Sequence, residues 1–280
     1  MTRPGLTQHT RISAYRDGNV RDTTDDLAVE EPLEIRVVAG GQMQRAGVTM
    51  RTPGNDFELA AGFLYGEGVI ESRDDIAGIS YCIDPAVDAQ QQYNIVNVTL
   101  ARSALPEMER LERHFSAGSA CGVCGKASIE ALQVRAKPLT DGVRAPLERL
   151  VQLPDKMREA QRTFSVTGGM HAAALFDASG ALSVLREDVG RHNALDKIAG
   201  WALLEGHMPL ESSIAVVSGR ASYELVQKCI AARIPVLCAV SAPSSLAVQL
   251  AQAFDLTLLG FVRDGRANVY AAPGRVTDPV

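Results

Sequence analysis

From Met170 onward the chain alternates short apolar runs with segments of helical period, and this alternation constrains the fold more than any other feature. Met170–Phe176 and Ala181–Arg186 read as strands joined by the turn Asp177–Gly180, hence a hairpin. Val189–Leu204 reads as a helix, followed by strand Ile214–Val217 and helix Ser222–Ala232. Strand Pro235–Val240, helix Ser244–Ala253 and strand Leu256–Leu259 come next, and Ala267–Ala271 is a last strand after the turn Arg263-Asp264-Gly265. Short strands between amphipathic helices predict an α/β sheet that is partly parallel and covered on both faces.

The first half of the chain reads differently. Pro32–Val38 and Val48–Met50 flank Gly40-Gly41 and predict a hairpin. Asp56–Tyr65 has helical spacing, with Asn55 as its cap and Gly66 as its stop. Ile79–Ile83 and Tyr93–Leu100 read as strands, and Pro106–His114 as a short charged helix. Lys126–Val134 reads as helical, as does 147–161, which Pro154 interrupts or kinks. The expected division is a flexible tail over 1–27 with room for one short strand, a small α+β subdomain over 28–115, a mobile loop over 116–126, and a main domain over 127–280.

Composition limits the class of function. With 280 residues, 46% of them hydrophobic, the chain can bury a full core without disulfide or metal staples. A net charge of −5 and a pI near 5.6 argue against a dedicated nucleic-acid binder, though not against one local basic pocket. The N-terminal stretch has no apolar centre that would serve as a signal peptide. No run approaches the roughly 18 apolar residues of a spanning helix. The expectation is a soluble cytoplasmic protein without a membrane partner.

There are five cysteines, Cys82, Cys121, Cys124, Cys229 and Cys238, an odd and sparse set that fits a reducing compartment. Cys82, Cys229 and Cys238 fall in strand or helix patterns and are expected to be buried and inert. Cys121 and Cys124 form a C-x-x-C in a glycine-, serine- and alanine-rich stretch just ahead of the helix expected at Lys126. A helix N-terminus and a neighbouring lysine both favour thiolate. Such a thiolate can exchange disulfides, carry sulfur as a persulfide, or supply half a zinc site. Zinc is disfavoured because there is no second C-x-x-C and no supporting histidine spacing. A thioredoxin-like motif is disfavoured because the stretch before Cys121 lacks the strand such motifs follow.

Glycine and hydroxyl residues gather after the strands. Ser218-Gly219-Arg220 follows Ile214–Val217, and Ser241, Ser244 and Ser245 follow Pro235–Val240. At the carboxyl ends of strands, free backbone N–H groups suit phosphate. Taken singly, each serine reads more readily as a helix cap. Two adjacent groups with Arg220 favour an anion pocket. In Phe261-Val262-Arg263-Asp264-Gly265-Arg266, Phe261 suits stacking on a base and the arginines suit phosphates, but on chemistry alone an ordinary hairpin is favoured. Arg186–Asn193 is dense in polar residues, and its simplest reading makes Asp188 the cap of the following helix. His171, after Gly168-Gly169, divides evenly between a hydrogen-bonded core residue and a ligand-binding or proton-shuttling one.

Five stretches together resemble the formate dehydrogenase accessory protein family, FdhD. They are Ser119–Lys126, Thr167–Ala174, Glu187–Lys197, Ser218–Glu224 and the segment around Phe261–Arg266. The resemblance runs from about residue 30 to the C-terminus. It implies a sulfurtransferase that accepts sulfur from a cysteine desulfurase as a cysteine persulfide. That sulfur passes to the molybdenum (or tungsten) of a bis(molybdopterin guanine dinucleotide) cofactor, needed by formate dehydrogenase. The cofactor is then a bound substrate, and no tightly held metal is expected. By the same resemblance Cys121 matches the persulfide cysteine and Cys124 its partner, and Phe261, Val262, Arg263, Asp264, Gly265 and Arg266 match the cofactor-binding segment. Ser218, Arg220, Ser241 and His171 join them as candidates from their own chemistry. The resemblance also implies a cytidine-deaminase-like main domain, a smaller N-terminal subdomain and a homodimer. Deaminase chemistry itself is not expected, since Ala172 and Ala173 follow His171 where that chemistry needs His-x-Glu. A cofactor-binding chaperone without sulfur chemistry and a thiol–disulfide oxidoreductase are the alternatives.

Overall fold

The computed structural model describes residues 5–88, 91–106, 136–139 and 142–277. The sequence-predicted helices at Pro106–His114 and Lys126–Val134, and the loop carrying Cys121 and Cys124, lie outside the described residues.

The flexible tail expected over 1–27 is instead an antiparallel ribbon of two ten-residue strands, β1 (Thr7–Arg16) and β2 (Asn19–Ala28). Asp17 and Gly18 both take positive φ, at 49° and 79°, which matches the twist a two-residue hairpin needs. Cross-strand polar pairs hold it: His9 Nδ1 lies 3.0 Å from Asp26 Oδ1, and Ser13 Oγ donates to Asp22 at 2.8 Å. Its mixed charge reads as a tail in sequence because both faces of the ribbon are largely solvated.

The small subdomain is a four-stranded sheet of β3 (Glu31–Ala39), β4 (Gln42–Arg51), β5 (Ile76–Tyr81) and β6 (Ile95–Leu100), in the order β4-β3-β6-β5. Alternation along β3 buries Leu33, Ile35, Val37 and Ala39 against helix α1 (Asp56–Gly66). Gly40 and Gly41 make the expected turn. Tyr93 and Asn94, expected in a strand, sit in a short 3-10 turn before β6, and Asn94 meets the buried Arg51 there.

The main sheet has six strands: β8 (His171–Phe176), β9 (Leu182–Asp188), β10 (Ile214–Val217), β11 (Val236–Ala239), β12 (Thr257–Arg263) and β13 (Arg266–Ala271). A separate minor pair, β7 (Ala145–Pro146) and β14 (Val276–Thr277), runs parallel. The main order is β13-β12-β11-β10-β8-β9, with β10, β11 and β12 parallel and the remaining neighbours antiparallel. This is the mixed α/β sheet expected from the alternation. Every residue of β10 and β11 is buried, and successive side chains go to opposite faces. Ala215, Val217, Leu237 and Ala239 join the core beneath α5 (Arg191–Leu204), α6 (Tyr223–Ala231) and α7 (Ser245–Ala253). Ile214, Val216, Val236 and Cys238 join the opposite core, with Leu150 of α2 (Leu147–Leu150) and Leu153 and Met157 of α3 (Leu153–Ala160). The 147–161 helix is therefore two helices, and Pro154 starts the second rather than kinking one. A short α4 (Arg162–Thr167) leads into β8.

Three features join the sheets. Helices α1 and α5 cross at Gly62 and Gly200. A Cβ on Gly200 would lie 1.8 Å from the Glu58 carbonyl oxygen, and one on Gly62 would lie 1.9 Å from that of Asp196. Below the crossing, Lys197 Nζ pairs with Asp188 at 2.7 Å, both side chains almost fully buried. Lys197 also donates to the Thr52 carbonyl, and Thr52 N donates back to Asp188. A bidentate pair from Arg186 to Glu58 spans the same seam.

Candidate functional site at the carboxyl edge of the main sheet

Strand direction decides which candidates meet. β10, β11 and β12 are parallel, so the residues after them share one edge. β8 runs the other way, so its first residue, His171, reaches that edge, where it pairs with Asp188 at the end of β9. Backbone bonds stitch the edge together. Ser218 N donates to the Ala172 carbonyl at 3.0 Å, Ser241 N to Gly219 at 3.3 Å, and Phe261 N to Ser241 at 3.2 Å. His171, Ser218, Ser241 and Phe261 thus come from four strands to one line.

The serines divide between caps and site. Ser244 Oγ accepts from Ala247 N at 3.2 Å and is the cap of α7. Ser218 Oγ accepts from Ala172 N at 2.9 Å and lies 3.3 Å from His171 Nδ1. Burial, helped by the Arg191 charge and opposed by Asp188, holds His171 below the usual histidine range. At neutral pH His171 is therefore an uncharged imidazole at the edge.

Asp188 corrects the sequence reading. It does not cap α5, whose cap is Gly190. Its carboxylate turns inward, where Lys197, Thr52 N, Gly190 N and Asn193 Nδ2 all donate to it. This fixes the turn that presents Arg191 and His192. His192 Nε2 lies 3.1 Å from Glu224 Oε2 and 3.0 Å from Ser222 Oγ. Burial, with Arg191, Lys228 and His171 nearby, pushes its pKa down to about 3, so the contact with Glu224 is a hydrogen bond from a neutral ring rather than an ion pair. An unfolded histidine takes its proton near pH 6.5. The His192 contribution to stability is therefore whole above pH 6.5 and is lost as pH falls toward 3. His192→Gln is expected to remove about one proton from the uptake on unfolding between those limits, seen as a flatter plot of urea midpoint against pH. Equal slopes would contradict the neutral ring. Asp196, which burial raises to about 6 against the pull of Lys228, works in the opposite sense but is common to both proteins.

The segment Phe261–Arg266 splits. Phe261 has φ +53°, a strained conformation for an aromatic residue, at an irregularity in the β12–β13 pairing. Val262 is fully buried in the lower core, so its side chain does not face a ligand. Arg263, Asp264, Gly265 and Arg266 form the exposed hairpin tip, with Asp264 and Gly265 at positive φ. Arg263 and Arg266 stand directly opposite each other, an unfavourable like-charge pair unless an anion lies between or beside them. The Arg263 guanidinium lies 5.9 Å from the Phe261 ring centre. Arg220 is exposed at the same edge.

Two participants lie in runs that the sequence marks only as groups. Gly219 lies against the His171 ring, 3.4 Å from where its Cβ would be, with Arg191 Cδ 3.7 Å away. The Arg191 Nε is buried with no hydrogen-bond partner among the described residues. Arg191 fell within the polar run 186–193, but nothing in that run separates it from its neighbours. Cys82, Cys229 and Cys238 are buried free thiols, and burial pushes Cys229 and Cys238 up to about 12, as expected of inert cysteines. Among the described residues no helix is long and apolar enough to cross a membrane.

The FdhD/NarQ family model matches residues 28–277. The sulfur carrier protein FdhD of Streptomyces coelicolor is 50% identical over 275 residues, covering 97% of this chain and 96% of that protein. The sulfur carrier protein FdhD of Mycobacterium tuberculosis is 48% identical over 276 residues, covering 97% and 99%. A crystal structure from Desulfotalea psychrophila, described as a formate dehydrogenase accessory protein, superposes with a TM-score of 0.75 at 26% identity, over 98% of this chain and 100% of that one. The matches span nearly the whole chain and agree in family, and the chain belongs to the FdhD/NarQ family.

Proposed function

We propose that this protein is a cytoplasmic sulfur carrier for formate dehydrogenase maturation. It takes sulfur from a cysteine desulfurase as a persulfide on Cys121 and passes it to the metal of molybdenum bis(molybdopterin guanine dinucleotide). The observation that carries the reading is the carboxyl edge, where His171, Ser218, Ser241 and Phe261 meet beside Arg220, Arg263 and Arg266. Donors, cations and an aromatic ring on one edge suit a nucleotide bearing phosphates. The relatives' name as sulfur carriers supports the sulfur chemistry.

The sulfur chemistry balances with two cysteines. The Cys121 thiolate attacks the outer sulfur of the desulfurase persulfide, and the desulfurase cysteine leaves as thiolate. The Cys124 thiolate then attacks Cys121 Sγ, forming the Cys121–Cys124 disulfide and releasing hydrosulfide to the metal. A dithiol reductant resets the pair. The nucleotide edge and a homodimeric assembly belong to the same reading.

Incubation with a cysteine desulfurase and cysteine is expected to add about 32 Da, one persulfide sulfur. Cys121→Ala is expected to abolish that adduct and formate dehydrogenase maturation together. An adduct that survives the loss of both Cys121 and Cys124 would overturn the carrier reading. Full maturation with Cys121→Ala would instead leave a cofactor chaperone.

A further inference from the structure

The β1–β2 ribbon has two unlike faces. Along β1, Thr10, Ile12 and Ala14 are half-buried, while the alternate residues from Thr7 to Tyr15 point the other way and are exposed. The register puts Val20, Asp22 and Asp26 of β2 on that same outer face. Near its tip the outer face carries a bare apolar pair: Tyr15 is 72% exposed, and Val20, directly opposite, is 68% exposed. A two-stranded ribbon with an open face is marginal in water unless something packs against it.

Charge on the outer face is divided by strand. β1 brings His9 and Arg11 and no acid, while β2 brings Asp22 and Asp26 and no base. Within the ribbon His9 meets Asp26 and Ser13 meets Asp22. Arg11 stands opposite Thr24, level with the gap between the two carboxylates. A second ribbon of the same kind complements this pattern. Rotation about a two-fold axis parallel to the strands lays β1 of each copy on β2 of the other. Arg11 then lies between the partner's Asp22 and the partner's Asp26, and Tyr15 lies on the partner's Val20. A two-fold axis across the strands would instead lay cationic strand on cationic strand, so charge selects the first arrangement.

We propose that the outer face of the β1–β2 ribbon is a dimer clasp that seats on the same face of a second copy of this chain. Tyr15 and Val20 form its apolar centre, and Arg11 with Asp22 and Asp26 sets its register. This rests on the homodimer of the reading above and gives that dimer a surface. The family model begins at residue 28, so the clasp lies outside it. A face two strands wide and ten residues long measures about 33 by 10 Å. That is under half of the roughly 800 Å² each partner buries in a stable complex, so the clasp tightens a dimer whose bodies, at the same end of the stacked ribbons, also meet.

The test is sedimentation of the full chain across a range of concentrations. Wild type is expected to dimerise. Arg11→Glu, and separately Asp22→Lys with Asp26→Lys, are each expected to weaken the dimer by about tenfold or more, because like charges then face each other. An equimolar mixture of these two variants is expected to dimerise more tightly than either alone, since opposite charges face each other again in the mixed pair. Tyr15→Ser, which leaves every charge in place, is expected to weaken the dimer as well. Dimerisation as tight as wild type in Arg11→Glu and in Tyr15→Ser would place the dimer on another surface and overturn the clasp. A mixture no tighter than its components would overturn the charge register, and a monomeric wild type would overturn clasp and homodimer together. The persulfide mass measurement reads Cys121 and not the ribbon, so failure of the clasp and failure of the carrier reading are distinguishable.

Discussion

Gly200→Ala is expected to lower stability by about 3 kcal/mol or more, at the upper end of what overpacking produces. The new methyl would sit 1.8 Å from the Glu58 oxygen and 2.6 Å from its carbonyl carbon. Both are backbone atoms of α1, so no rotamer change relieves the contact and the helices must separate. Separation in turn loosens Leu203, which packs into the core of the small sheet. Gly62→Ala meets the Asp196 carbonyl at 1.9 Å in the same crossing. Once one methyl has parted the helices, the second meets less resistance, so the double variant is expected to lose less than the sum. Urea denaturation of the four proteins checks this. A shift below about 0.5 kcal/mol for Gly200→Ala, the size of an ordinary surface change, would contradict the close crossing.

Asp188→Ala carries the second large effect. It strands the Lys197 ammonium, almost fully buried, with only the carbonyls of Thr52 and Glu187 as acceptors. Breaking a buried pair from one side loses about 3–5 kcal/mol, much of it the unpaired charge left behind. Lys197→Met is expected to be milder. The carboxylate it leaves still accepts from Thr52 N, Gly190 N and Asn193 Nδ2. Asp188→Leu combined with Lys197→Met removes both charges and is expected to recover part of the loss. Denaturation midpoints that rank Asp188→Ala no worse than Lys197→Met would overturn this account.

Most of the main sheet was legible because its signal is local. β10 and β11 are four apolar residues each, bracketed by turn residues, and nothing competes with that pattern. The N-terminal ribbon was not read. Asp17-Gly18 is a strong hairpin signal, but the strands around it are polar on both faces and lack the apolar alternation that marks a strand. Asp188 misled for a different reason. An aspartate before a helix is most often a cap, and only Lys197, two and a half turns on, together with Thr52, far away in sequence, turns it inward. The serines show the same limit. Ser218 and Ser244 look alike in sequence, yet one holds a histidine and the other caps a helix, because β8 lies beside the first. Val262 was grouped with the cofactor segment by position, and strand periodicity sends its side chain to the core. Family likeness could name the segment but not sort its side chains.

The crossing of α1 with α5 also has a consequence for vectorial synthesis. α1 leaves the ribosome long before the helix that fits it, and the chain from Gly62 to Gly200 must be made in between. At a ribosomal pace of about 5–20 residues per second, that interval is on the order of ten seconds. From the completion of β6 until α5 is made, the small sheet has its own strands but not Leu203, and the glycine face of α1 stands open to whatever else is nascent. The N-terminal half is therefore the part of this protein on which a holding chaperone would act, and the arrival of α5 is the event that would release it.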